Sequence, residues 1–160
     1  MLRIGFGFDT HRLETGHDFW LGGIQIQHSK GATGHSDADV LIHAICDAML
    51  GAAGLRDIGY YFPDTAAEFK DIDSKILLKK TYDLVKGKSF SIQNVDSTIV
   101  LQTPKITSYI PQMIRVLSGI LDIPENCLSI KAKTSEKLGF IGQEEGLSAY
   151  AVVLLVEKEN

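Results

Sequence analysis

Apolar residues recur along the chain with two different periods, and the changes of period mark out the elements. Leu2, Ile4, Phe6 and Phe8 alternate with Arg3, Gly5, Gly7 and Asp9, which predicts a first strand with one apolar face and a second face that delivers Asp9. The small glycines leave room beside it. Phe19 to Ile26 predicts a hairpin about Gly22-Gly23, after a polar loop from Glu14 to Asp18. Lys30 to Gly34 reads as a loop whose glycines suit a segment that must bend. Leu41, Ile45, Ala48, Met49 and Ala52 then recur at spacings of three and four. This is the stripe of a helix packed on a sheet, capped by Asp37 or Asp39 and stopping at Gly51 or Gly54.

Leu55 to Thr65 is too rich in Gly, Pro and Asp to extend that helix and reads as an ordered loop. Asp73 caps a second helix running to about Lys86, with Ile76, Leu77, Lys80, Thr81, Leu84 and Val85 along its inner side and Gly87 at its end. The pattern gives this helix a purely structural role. Phe90 to Gln102 predicts a buried strand. Ile110, Met113, Ile114, Leu117, Ile120 and Leu121 follow the helical rule, with Pro111 in the first turn. Leu128 to Thr134 alternates as a strand, and Ala149 to Val156 is a nearly continuous apolar strand suited to the centre of a sheet. This order predicts an α+β fold, a ferredoxin-like sandwich with a split βαβ arrangement and a sheet covered on one side by helices, in one domain over residues 1–160. The uncovered sheet face gives a reason to expect an oligomer.

Composition narrows the function. At 160 residues and 44% hydrophobic the chain can bury a proper core, and no apolar stretch reaches the roughly 20 residues of a membrane helix. The opening residues read directly as strand, which predicts no signal or transit segment and an intracellular protein. The net charge of −4 argues against a nucleic-acid or acidic-membrane surface, so recognition of an anion must rest on local lysines, glycine-rich turns or bound cations. Cys46 and Cys127 lack the paired spacing of a thiolate site and are expected to be reduced. His17 and His28 lie in polar surroundings and read as surface residues.

The chemistry concentrates in two places. Asp9-Thr10-His11 ends the first strand, and alternate side chains there point the same way. His35-Ser36-Asp37-Ala38-Asp39 opens the first helix, on which Asp39, His43 and Asp47 share one face. Asp9, His11 and His43 would supply one carboxylate and two imidazoles, which leaves the fourth position of a tetrahedral zinc open, as in a catalytic site. From the residues alone, a capped turn and a hydrogen-bonded histidine fit as well.

Taken together, Gly5 to His11, His35 to Val40, Asp57-Ile58-Gly59, Phe62-Pro63-Asp64-Thr65 and Thr134-Ser135-Glu136-Lys137-Leu138-Gly139-Phe140 strongly resemble the 2-C-methyl-D-erythritol 2,4-cyclodiphosphate synthases, from about residue 2 to residue 156. The resemblance implies conversion of 4-diphosphocytidyl-2-C-methyl-D-erythritol 2-phosphate into the cyclic diphosphate and CMP, in the non-mevalonate isoprenoid pathway. It also implies a homotrimer with active sites between subunits, located in the bacterial cytoplasm or a plastid stroma. It implies zinc (Zn2+) held by Asp9, His11 and His43, and a second divalent ion, magnesium (Mg2+) or manganese (Mn2+), held by Glu136. His35 and Thr134 resemble the transition-state stabilisers, with Ser36 beside the phosphates. Asp57, Ile58, Gly59, Phe62, Pro63, Asp64, Thr65 and Ala66 resemble the methylerythritol site. Leu101, Thr103, Pro104, Lys105, Ile106, Thr107, Lys133 and Ser135 resemble the cytidine and phosphate walls, and Phe140 and Gln143 are also matched to substrate-binding positions.

The chain departs from the family pattern at three positions. Lys133 replaces a threonine and adds positive charge near the phosphates. Gln143 stands where an arginine is usual and cannot act as a cationic clamp, so anion binding in the trimer's central channel is expected to be weak. Ala38 replaces a glycine and is expected to be neutral. Two other functions fit the same ligand residues. A zinc-dependent nucleotide phosphohydrolase would use metal-bound water and have no need of the Phe62 to Asp64 loop. A binding module would hold CMP and turn nothing over.

Overall fold

The computed structural model describes residues 1–158. Its centre is a five-stranded sheet in the order β4-β1-β7-β5-β6, formed by β1 (Leu2–Thr15), β4 (Lys30–Thr33), β5 (Phe90–Val100), β6 (Leu128–Lys133) and β7 (Gly146–Glu157). The expected hairpin is β2 (Phe19–Leu21) and β3 (Ile24–Ile26), which pair with each other about Gly22-Gly23. Both glycines there have positive φ, which a two-residue turn of this kind requires.

β7 is the most apolar strand and takes the centre, antiparallel to both β1 and β5. Its Leu147, Ala149, Ala151, Val153 and Leu155 are all buried. β5 and β6 pair side by side in parallel, with α4 (Ile110–Leu121) between them in sequence. The split βαβ arrangement expected from the sequence is formed by β1 and β5, which are each antiparallel to β7 and so run parallel with β7 between them, connected through the helices that lie between them in sequence. β5, α4 and β6 make a second unit whose two strands are adjacent.

α1 (Val40–Ala53) lies over β1 and β7, α3 (Ser74–Gly87) packs on α1, and α4 packs on α3 and β6. The inner side of α3 is shifted from the expected one: Leu77, Leu78, Thr81, Tyr82 and Val85 are buried, while Ile76 is exposed. His28 also departs from its expected surface position, with its half-buried ring 6.2 Å from that of Phe19.

The first strand meets the helices with its glycine face. A Cβ on Gly5 would lie 1.8 Å from the Ala48 carbonyl oxygen, and one on Gly7 would lie 1.9 Å from that of Ala44. The absence of side chains at these two positions lets α1 settle directly on the strand. Burying Leu41, Ile42, Ile45 and Met49, all fully inaccessible, contributes about 1.5–3 kcal/mol apiece. That outweighs the roughly 0.5–1 kcal/mol a strand loses per glycine. The alternate residues Leu2, Ile4, Phe6 and Phe8 therefore point away from the helices and are exposed. Phe8 stands opposite Tyr150 and Phe6 opposite Val152, so the apolar band continues onto β7.

Lys30–Thr33, expected as a loop, is β4, antiparallel to β1 from Arg12↔Thr33 to Thr15↔Lys30. Its glycine serves close approach here. A Cβ on Gly31 would fall 2.2 Å from the Asp18 carbonyl oxygen. Within the predicted 55–65 loop, Asp57 caps a short helix, α2 (Ile58–Tyr61), by accepting from Tyr60 N–H at 2.9 Å.

Candidate metal centre and active site

Because the glycine face of β1 carries α1, the next residues on that face, Asp9 and His11, reach the same helix one turn further along. There they meet His43. Asp9 Oδ2 lies 2.9 Å from His11 Nε2 and 2.9 Å from His43 Nδ1, and the two nitrogens are 3.1 Å apart. Asp9, His11 and His43 are the one group of metal-ligating side chains converging in this way among the described residues. A tetrahedral ion with ligands at roughly 2.0–2.1 Å sets them about 3.3 Å apart, so the triangle is close to the size needed.

The protons agree with this fit. His11 Nδ1 lies 3.1 Å from the Thr33 carbonyl oxygen, which can only accept, so Nδ1 carries a hydrogen, and the Nε2 hydrogen shared with Asp9 is the one a metal ion would displace. Burial disfavours charge on Asp9, but hydrogen bonds from His11 and His43 outweigh it and hold the carboxyl well below its usual range. Burial likewise opposes charge on His11, and the hydrogen bond to Asp9 overcomes it and raises the imidazole pKa above 6.5. Carboxylate oxygen with two imidazole nitrogens suits a divalent transition-metal ion.

The three ligands open into a cavity of about 400 Å³ whose remaining wall includes His35, Ser36, Ile58, Gly59, Phe62, Pro63 and Asp64. His35 Nε2 lies 3.3 Å from the Ala66 carbonyl oxygen, so the His35 and Phe62 to Ala66 segments meet. Asp57 and Thr65 are exposed beside them. Of the acids expected to share a face with His43, neither is a ligand. Asp39 is fully buried at the start of α1, accepting from Ile42, Gly22 and Gly23 N–H groups. Asp47 accepts from Ile58 N–H at 2.7 Å and braces the cavity wall.

The other predicted residues lie apart from this cavity in the single chain. Leu101, Pro104, Lys105, Ile106, Thr107, Lys133 and Thr134 line a separate depression of about 280 Å³. Thr103 precedes Pro104 in a cis peptide at its edge. Thr134 Oγ1 donates to Glu136 Oε1 at 2.7 Å, and Ser135 Oγ donates to the Leu138 carbonyl oxygen. Glu136 and Lys137 both have left-handed backbones, φ 52° and 64°, conformations that a side chain resists and functional loops often retain. Phe140 lines a third cavity with Thr10, Arg12 and Lys30, and Gln143 ends the short helix α5 (Gly139–Gly142) in an exposed position.

Comparison with known proteins identifies the family. Residues 2–156 match the YgbB family along their whole length. The chain belongs to the YgbB family. A Phocaeicola vulgatus relative named 2-C-methyl-D-erythritol 2,4-cyclodiphosphate synthase is 59% identical over 158 residues, 99% of each chain. The bifunctional IspDF from Campylobacter jejuni has a TM-score of 0.95 at 40% identity, over 99% of this chain and 43% of its own. A 2C-methyl-D-erythritol-2,4-cyclodiphosphate synthase solved in a CDP-bound form has a TM-score of 0.89 at 36% identity, over 96% of this chain and 100% of its own.

Within this YgbB chain the sequence reading missed three contributors. Thr33 orients His11 through a backbone carbonyl, which no side-chain motif reveals. Ser74 and Asp37 join His43 from behind, so α3 is more than structural. The Asp37 of His35-Ser36-Asp37 was the available signal: it accepts from Ser74 N–H at 2.9 Å and from Asp39 N–H at 3.2 Å, and so ties the start of α3, whose N-cap is Asp73 as expected, to the start of α1. Ala38 is also not neutral. It is buried with φ 57°, a left-handed conformation that glycine tolerates and alanine resists.

Proposed function

We propose that the protein converts 4-diphosphocytidyl-2-C-methyl-D-erythritol 2-phosphate into 2-C-methyl-D-erythritol 2,4-cyclodiphosphate and CMP, with residues 1–160 as one catalytic domain. The observation that carries this reading is the convergence of Asp9, His11 and His43 at the mouth of a cavity whose other wall is the Ile58 to Asp64 segment. The full-length likeness to relatives named for this reaction supports it.

An oxygen of the substrate's 2-phosphate attacks the β-phosphorus of its own diphosphate, and CMP leaves with the electron pair of the broken bond. No protein nucleophile is needed, so the protein's part is positioning and charge. Asp9, His11 and His43 would hold zinc, and Glu136 a magnesium or manganese ion. When bound, such ions neutralise phosphate charge and polarise the phosphorus centre. His35 and Thr134 donate hydrogen bonds where charge builds on the oxygens, with Ser36 beside them. Asp57, Ile58, Gly59 and the Phe62 to Ala66 segment hold the methylerythritol unit and exclude water. Leu101 and Thr103 to Thr107 receive the cytidine, and Lys133 and Ser135 the phosphates.

These two groups of residues line separate cavities of one chain, and a homotrimer would join them across subunit boundaries. The exposed band of Ile4, Phe6, Phe8, Tyr150 and Val152 supports burial of that sheet face against further copies. A cytoplasmic location follows for a bacterial metabolic enzyme, and no helix among the described residues is long and apolar enough to cross a membrane. The test is CMP release from the cytidine diphosphate substrate by zinc- and magnesium-loaded protein. Release that stops on chelation supports the proposal, and binding of CMP without turnover overturns it.

A further inference from the structure

The metal reading uses one nitrogen of each histidine, and the second nitrogen of His43 faces away from the cluster into the start of α3. His43 Nε2 lies 3.1 Å from Ser74 Oγ and 3.1 Å from Ser36 Oγ. Ser74 is fully buried as the first residue of α3. Its hydroxyl makes a short hydrogen bond to Asp37 Oδ1, while its backbone N–H donates to Asp37 Oδ2 at 2.9 Å.

Counting protons gives the direction of the chain. A serine hydroxyl has one hydrogen, and a carboxylate can only accept. The Ser74 hydrogen therefore goes to Asp37, and Ser74 Oγ accepts from His43 Nε2–H. Ser36 Oγ, which accepts from Ala38 N–H at 3.2 Å and lies 3.4 Å from Ser74 Oγ, closes the same side of the ring. With a proton engaged at Nε2, Nδ1 is the His43 nitrogen left to bind a metal ion beside Asp9 and His11. His11 is fixed by the Thr33 carbonyl in the same sense.

We propose that Asp37 and Ser74 are positioning residues for the metal centre, a carboxylate–hydroxyl–imidazole chain that sets the tautomer and ring orientation of His43. The inference rests on the metal reading above. It extends the site to a helix that carries none of its ligands, and it gives Asp37 a second task beyond holding the first N–H of α3. Outer partners of this kind typically change metal affinity by about 10–100-fold when removed.

The test is zinc affinity of the full chain, measured by competition with a chromophoric chelator at pH 7.5, for wild type, Ser74→Ala and Ser74→Thr. Ser74→Ala is expected to bind zinc about 10–100-fold more weakly, with recovery in Ser74→Thr, which restores the hydroxyl. If Ser74 only secures the start of α3, Ser74→Ala lowers the melting temperature of the metal-free protein and leaves zinc affinity within about twofold, which overturns the proposal. A measurement on the zinc-loaded wild type does not depend on a variant that folds. Long-range proton–nitrogen correlation should find the His43 proton on Nε2 and protected from exchange, and a proton on Nδ1 would contradict the assignment. A wild-type protein that takes up no zinc removes the metal reading itself, a failure distinguishable from an unaltered Ser74→Ala affinity.

Discussion

His43 Nδ1 and Asp9 Oδ2 lie 2.9 Å apart across the line where α1 rests on β1. The distance depends on Gly7, two residues before Asp9 on the same face, where a Cβ would fall 1.9 Å from the Ala44 carbonyl oxygen and 2.7 Å from the Ala48 nitrogen. Backbone atoms cannot step aside as a flexible side chain can, so helix and strand would have to separate.

Gly7→Ala is therefore expected to cost at least about 3 kcal/mol of stability, at the upper end for overpacking. Any folded fraction should bind zinc poorly, because the strand bearing Asp9 and His11 moves away from the helix bearing His43. Urea unfolding and zinc uptake check this, and near wild-type values for both would show that the contact yields easily.

His43→Ala should abolish tight zinc binding and turnover while leaving the fold. The His43 side chain is only 13% exposed, but it lies off the apolar side of α1 that packs on β1 and β7, which is untouched. The expected stability change of the metal-free protein is within about 1 kcal/mol. Circular dichroism with metal analysis distinguishes this from a variant that unfolds.

Ala38→Gly should stabilise the protein by roughly 1 kcal/mol, since the left-handed conformation costs a side chain about 1–2 kcal/mol and glycine's extra freedom in the unfolded chain returns part of it. Denaturant midpoints measure it directly. A loss of stability would mean that the buried Ala38 methyl group contributes more packing than it costs in strain.

The pH dependence of stability should change sign with metal. In chelated protein His11 has a pKa raised above 6.5. Its contribution is fully present below about 6.5 and is lost as pH rises through the raised value. Asp9, held low, contributes throughout the range above about 4. Metal-free protein should thus lose melting temperature as pH rises above about 6.5. Zinc must displace the His11 proton, so its stabilisation grows over the same interval. Parallel slopes with and without zinc would count against His11 as a ligand.

Much of this was legible in the sequence where side chains report their own surroundings. The apolar stripe of α4 and the Gly22-Gly23 hairpin follow from local pattern alone, and Asp9, His11 and His43 are the types a catalytic metal needs. What could not be read depends on distant backbone. Lys30–Thr33 is a strand because Arg12 to Thr15 lie beside it. The orientation of β1 was hidden as well. Its large apolar residues face outward because its glycines are the ones that touch the helix, an arrangement set by α1 and invisible in β1 itself. Ser74 was hidden likewise, since a buried serine at a helix start looks like part of a cap until its neighbour is seen to be His43.

The most direct test of the central claim is phosphorus NMR of the zinc- and magnesium-loaded protein with 4-diphosphocytidyl-2-C-methyl-D-erythritol 2-phosphate, before and after chelation. The account predicts the paired resonances of a cyclic diphosphate together with CMP, absent when chelator is present from the start, and strongly slowed in Glu136→Gln with zinc retained. Orthophosphate or open-chain phosphates in place of the cyclic product would contradict it and assign Asp9, His11 and His43 to a hydrolase.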